Sequence, residues 1–99
     1  MTGEQLRAEV IAYLGAEHPG MKWFHSFDPL ADRMPGWPDL FICGPGGALF
    51  AECKGQGEEL SPSQARWKWA LLAAGQTWYL WRPRDWWHGV VKAEIGAIA

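Results

Sequence analysis

The sequence predicts an α/β fold: a central mixed sheet flanked by helices, in the order α-β-β-β-α-β. Three observations predict it. Apolar residues recur at helical spacing near the start of the chain and again after Ser61. Between these segments, two short apolar runs are joined by Gly44-Pro45-Gly46-Gly47, which is hairpin turn chemistry. A further apolar run, residues 77–82, follows the second helical segment and stops at Pro83. With 99 residues, 48% of them hydrophobic, there is material for one core, so a single domain over residues 1–99 is expected. No repeat, low-complexity segment or interdomain linker is visible.

Each element has a local reason. Residues 3–17 read as a helix, with Leu6, Val10, Tyr13 and Leu14 toward the core, Thr2 as N-cap and His18-Pro19-Gly20 as the stop. Residues 21–27 read as a strand carrying Trp23, His25 and Phe27 on one face, and residues 28–35 as a loop. Two hairpin strands follow, residues 39–43 and 48–54. Residues 55–60 form a polar, flexible loop. Ser61 caps the second helix and Pro62 takes its first position, where a missing N–H costs nothing. That helix runs to about residue 74, turns Trp67, Leu71 and Ala74 to the sheet, and ends at Gly75. The tail, residues 85–99, fits either a short helix or an extra edge strand.

The hairpin gathers the chemistry. If Cys43 pairs with Ala48, Asp39 lies directly opposite Glu52, and Lys54 shares their face because side chains alternate along a strand. Opposed residues have Cβ atoms about 5 Å apart, where like charges repel. Two carboxylates so close are tolerated when a cation sits between them, and hard oxygen donors suit Mg²⁺ or Mn²⁺. The backbone carbonyl of Cys53 could add a third oxygen. Lys54 beside such an ion could orient a water or hold a phosphate. Taken singly, Pro-Asp is usually a turn and Glu-x-Lys a solvated face. Together, in register across a short turn, they favour metal-assisted hydrolysis.

These residues resemble the VRR-NUC branch of the PD-(D/E)XK nuclease superfamily, in a small stand-alone form of phage or prophage type. Gly36-Trp37-Pro38-Asp39-Leu40 looks like its G-x-P-D-L. Phe50-Ala51-Glu52-Cys53-Lys54 looks like its strand ending in E-x-K. Leu60-Ser61-Pro62-Ser63-Gln64 is similar to its L-S-P-x-Q, and residues 79–86 resemble its closing strand and turn. His25 to Arg33 resembles the segment before G-x-P-D. The match runs in order over residues 1–86. The resemblance implies a restriction-endonuclease-like core, Asp39 and Glu52 as metal ligands, Lys54 as catalytic lysine and Gln64 as a helper. It also implies a glutamate from the first helix, for which Glu4 and Glu9 are candidates and Glu4 is preferred. The implied activity is Mg²⁺- or Mn²⁺-dependent hydrolysis of DNA, structure-specific and Holliday-junction-resolvase-like, by a homodimer in the cytoplasm of a bacterial host.

Composition bears on this reading from both sides. The net charge of −2 is not that of a protein that coats nucleic acid. Yet several acids lie near the proposed site, where a cation would neutralise them. His25, Arg33, Arg66 and Lys68 are candidate nucleic-acid contacts, and Arg82 and Arg84 could also meet phosphates. For any one of these, a solvated surface charge is the commoner role, and for His25 a buried, hydrogen-bonded one. His88 reads as structural or surface. Eight tryptophans suit a core with an exposed subset for a dimer interface or for base stacking. The two cysteines fall on opposite faces and should stay reduced. No signal peptide or membrane span is visible. The rival reading is a non-catalytic module that keeps the fold and binds a protein or nucleic-acid partner. Hydrolysis of another phosphoester is a third.

Overall fold

The computed structural model describes residues 1–26 and 33–99; the expectations for Phe27 as a strand residue and for the loop up to Asp32 lie outside the described residues. The elements are α1 (Gly3–Glu17), β1 (Lys22–His25), β2 (Leu40–Gly44), β3 (Gly47–Cys53), α2 (Pro62–Ala73), β4 (Trp78–Trp81), α3 (Pro83–Trp87) and α4 (Val90–Gly96). The strands form one mixed sheet in the order β1-β2-β3-β4. The first two neighbouring pairs are antiparallel and β3–β4 is parallel.

Both long helices start as the sequence indicates. Thr2 Oγ1 accepts from the Gln5 N–H and Gln5 Oε1 accepts from the Thr2 N–H, closing a capping box. Ser61 and Gln64 repeat it on α2. α1 lays Leu6, Val10 and Leu14 on the sheet face formed by Leu40, Ile42, Leu49, Ala51 and Trp81. Tyr13 stays at the margin of this core, edge-on to Trp86. The tail resolves as helix: α4 adds Val91 and Ile95 to the same core, and α3 packs Trp86 against it. The Ile98 carbonyl then accepts from Gly46 at the hairpin turn. An extra edge strand would bury far less of Val91 and Ile95 than this apolar stripe does. The Cα radius of gyration, 12.8 Å, is that of one packed domain of about 100 residues.

The other sheet face is aromatic. Phe41 and Phe50 pack together, and Trp37 meets Phe50 and Trp67 edge-on. α2 covers part of this face through Trp67 and Leu71, whereas Ala74 is exposed rather than turned to the sheet. Of the tryptophans, Trp78 and Trp81 are buried and Trp23, Trp69 and Trp87 are exposed. No helix among the described residues is long and apolar enough to cross a membrane.

The hairpin has the expected register, with Cys43 opposite Ala48, but its turn is only Pro45-Gly46, because Gly44 and Gly47 already pair. β2 starts at Leu40 and β3 ends at Cys53, each one residue short of the expected limit. The pair after Leu40–Ala51 would be Asp39–Glu52, and the next Pro38–Cys53. Proline has no N–H to give the Cys53 carbonyl, so the ladder stops there.

Candidate active site

The end of the ladder builds the site. Asp39 turns its carboxylate back, and Oδ2 accepts the Cys53 N–H at 3.0 Å, a bond the strand would otherwise have supplied. Ser26 anchors the same segment: its N–H reaches the Asp39 carbonyl and its hydroxyl donates to the Pro38 carbonyl at 3.3 Å. The Cys53 carbonyl, which Pro38 cannot satisfy, lies against the first turn of α1. A Cβ at Gly3 would collide with it, so this close approach requires glycine.

Among the described residues Glu52 is the one charged residue in the buried set, only 1% exposed. Its Oε1 is buried and finds no hydrogen-bond partner among the described residues. Burial, with the Asp39 charge adding to it, pushes its pKa up to about 8. Half-buried Lys54 pulls in the opposite direction, and loses. A protonated Glu52 at neutral pH is therefore how the folded chain carries this pair without a cation.

Gln64 is delivered by its own cap. Its Oε1 is committed to the Ser61 N–H, which fixes the amide and sends Nε2 toward Glu52 Oε2 at 3.4 Å. A glutamate could close the same box, but it would set a third carboxylate against Glu52. Gly36 brings α2 close enough for this. It has φ +83°, and any Cβ there would strike the Ser63 carbonyl and the Gln64 nitrogen.

The structure thus brings Asp39, Glu52, Lys54, Gln64 and the Cys53 carbonyl together, and leaves other expected residues aside. Glu4 is exposed on the first turn of α1, with no hydrogen bond or ion pair to Asp39 or Glu52 among the described residues; Glu9 is exposed too. The α1 side chain that reaches the pair is Arg7, whose Nη1 lies 3.8 Å from Asp39 Oδ1. It falls one turn past Gly3, so the helix that buries Gly3, Leu6 and Val10 aims it at the ladder end. His25 pairs with Leu40, placing it on the face opposite Glu52. There its ring stacks on Trp23 and its Nδ1 meets the Ser26 carbonyl. Lys68 sits over Trp69 and Trp78, and Trp78 starts β4 at the sheet end away from Cys53. Arg33 and Arg66 are exposed, Arg66 beside a hollow with Pro35, Ser63 and Trp67.

The loop after Lys54 is tied down rather than loose. Arg82 Nη1 donates to the carbonyls of Gly55 and Glu58, each at 2.8 Å, and the Gly3 N–H donates to Glu58 Oε1. Cys53 and Cys43 are both free thiols; burial pushes the Cys53 thiol well up, so it is no nucleophile.

Among the described residues no cluster of three His, Cys, Asp or Glu side chains forms. A cation here would take two carboxylates, the carbonyl and waters, a donor set that Mg²⁺ accepts. The partnerless Glu52 Oε1 fits such a role. Comparison with protein-family models, characterised proteins and solved structures finds no match for this chain.

Proposed function

We propose that this chain is a Mg²⁺- or Mn²⁺-dependent endonuclease of PD-(D/E)XK type, acting on branched or otherwise structured DNA. One observation carries the reading: a buried glutamate with a partnerless oxygen, set against a second carboxylate at the broken end of a β-ladder. Carboxylates are placed this way, at the cost of burying charge, where a bound cation offsets it. Asp39, Glu52 and the Cys53 carbonyl would hold the ion, which when bound lowers the pKa of a water and offsets charge on a phosphate oxygen.

The chain's own groups do the rest. The Cys53 N–H fixes the Asp39 carboxylate. Gln64 steadies Glu52 by a long hydrogen bond. Lys54, on the same strand face, supplies the positive charge that orients a water or meets the phosphate. A four-way junction has two equivalent strands to cut, so this reading calls for two sites and a homodimer.

Labelled four-way junction, flap, single-stranded and duplex DNA, each incubated with Mg²⁺, Mn²⁺ or EDTA, tests the proposal. Metal-dependent cutting of a branched substrate, lost in Asp39→Ala and Lys54→Ala with the fold intact, is expected. Cutting that survives both substitutions would refute the site. No cutting of any substrate would favour the binding-module alternative.

A further inference from the structure

A second concave site lies next to the carboxylate pair, at the same end of the sheet. It is a pocket of about 390 Å³ lined by Gln56, Gly57 and Glu59 on one wall and by Arg82, Pro83, Arg84 and Trp87 on the other. The two walls follow β3 and β4, which run parallel and end level with each other at Cys53 and Trp81. Ligands bind in the crevice beyond the carboxyl ends of such strands.

The lining has the parts a nucleotide needs. Trp87 is 64% exposed, a high value for an indole on a packed domain. Arg82 spends Nη1 on the loop carbonyls, which hardens one wall and leaves its other guanidinium donors uncommitted among the described residues. Arg84 is exposed, and its guanidinium makes no hydrogen bond or ion pair among them. Two guanidiniums and one carboxylate, Glu59, line the pocket. Gln56 follows Lys54 by two residues, within about 7 Å of chain. From Glu52 to Gln56 is four residues, at most about 14 Å of chain, so at roughly 3.4 Å per nucleotide the pocket lies within about four nucleotides of the carboxylates.

We infer that this pocket holds an unpaired nucleotide flanking the phosphate at the Asp39–Glu52 site, its base stacked on Trp87 and its phosphate on Arg84 and Arg82. The choice of ligand rests on the nuclease reading. A flat aromatic face with flanking guanidiniums accepts any base, which suits an enzyme that selects the shape of its substrate rather than its sequence. Paired bases have no free face for Trp87, so the pocket favours strands that are already open.

The test uses the intact chain and a fluorescein-labelled oligothymidylate, followed by anisotropy in EDTA at several salt concentrations. Trp87→Ala should weaken binding by roughly 5- to 150-fold, the range for losing one stacked base, while Trp87→Phe retains most of it. Arg84→Ala should lower the salt slope by about 0.7, the share of one phosphate contact on a single strand. Both side chains are exposed, and circular dichroism checks that the variants fold. No binding by the intact chain, or unchanged affinity in Trp87→Ala with an unchanged slope in Arg84→Ala, overturns the inference. A chain that binds through Trp87 but cuts nothing with Mg²⁺ or Mn²⁺ refutes the nuclease reading and leaves the pocket standing. One that cuts with wild-type KM after both substitutions does the reverse.

Discussion

Replacing Glu52 with glutamine should stabilise the metal-free protein above neutral pH. In the folded chain Glu52 titrates near 8 rather than at its ordinary 4.5, because burial, and then the Asp39 charge, disfavour its ionised form. The folded state therefore holds a proton that the unfolded chain has released between those two values. The stability this proton carries is fully present below pH 4.5 and is lost as pH rises toward 8. The gap between 4.5 and 8, at about 1.4 kcal/mol per pH unit, amounts to about 5 kcal/mol. Domains of this size have roughly 5–15 kcal/mol in all, so the effect is large. Urea unfolding in EDTA at pH 5, 6, 7 and 8 reads it directly. The wild type should lose stability across this range, and Glu52→Gln, which keeps the shape without the charge, should lose much less. The two proteins share every other titrating group, so the difference between their slopes belongs to Glu52. Equal slopes, or a wild type that gains stability from pH 5 to 8, would refute the placement of this carboxyl.

Metal binding should draw on the same proton. Calorimetric titration of Mn²⁺ in buffers of different ionisation enthalpy should show proton release growing toward one per site as pH falls below 8. Arg7→Ala should cost under about 1 kcal/mol of stability, since its pair with Asp39 is partly solvated, yet tighten Mn²⁺ binding several-fold by removing a like charge. Weaker Mn²⁺ binding in that variant would show instead that Arg7 holds Asp39 in place. Gly36→Ala should lose at least about 2 kcal/mol, roughly 10 °C in Tm by thermal melting, because it combines a left-handed backbone with a collision against α2. Gln64→Glu should preserve the capping box but steepen the fall in metal-free stability between pH 5 and 8, measured by the same urea series.

Much of the fold was legible because local chemistry and long-range pairing agree. The Gly-Pro-Gly-Gly stretch admits few hairpins, and the alternation on either side permits one register that buries Leu40, Ile42, Leu49 and Ala51 together. The Thr2 and Ser61 caps each fix a helix start to the residue. The tail was not legible. Val91, Ile95 and Ile98 recur at the helical spacing i, i+4, i+7, but Gly89 and Gly96 interrupt the segment and leave an edge strand open, and packing against the core decides for helix. The sheet face of His25 was not legible for a related reason. The segment between β1 and β2 is too long for its turn residues to set their register, so nothing in the sequence tells which sheet face His25 occupies.

The site divides along the same line. Which carboxylates meet follows from register, and register is a sequence property here. What stands beside them depends on how a helix approaches the sheet in three dimensions. Glu4, with Glu9 as the alternative, was expected only because the family resemblance implies a glutamate from the first helix. Gly3 instead seats α1 directly on the Cys53 carbonyl, and the turn that follows carries Arg7 to Asp39. The folded chain thus answers the charge of its two acids separately, Asp39 by a guanidinium and a backbone N–H, Glu52 by a proton. α2 gives Glu52 one amide donor, from Gln64 to Oε2, and leaves Oε1 without a hydrogen-bond partner among the described residues. A domain selected for stability alone would gain by placing glutamine at position 52, since glutamine keeps the shape and carries no charge to bury. Retaining a glutamate there makes sense where its ionised form is used, and a divalent cation is the partner that two oxygens at a broken ladder can accept.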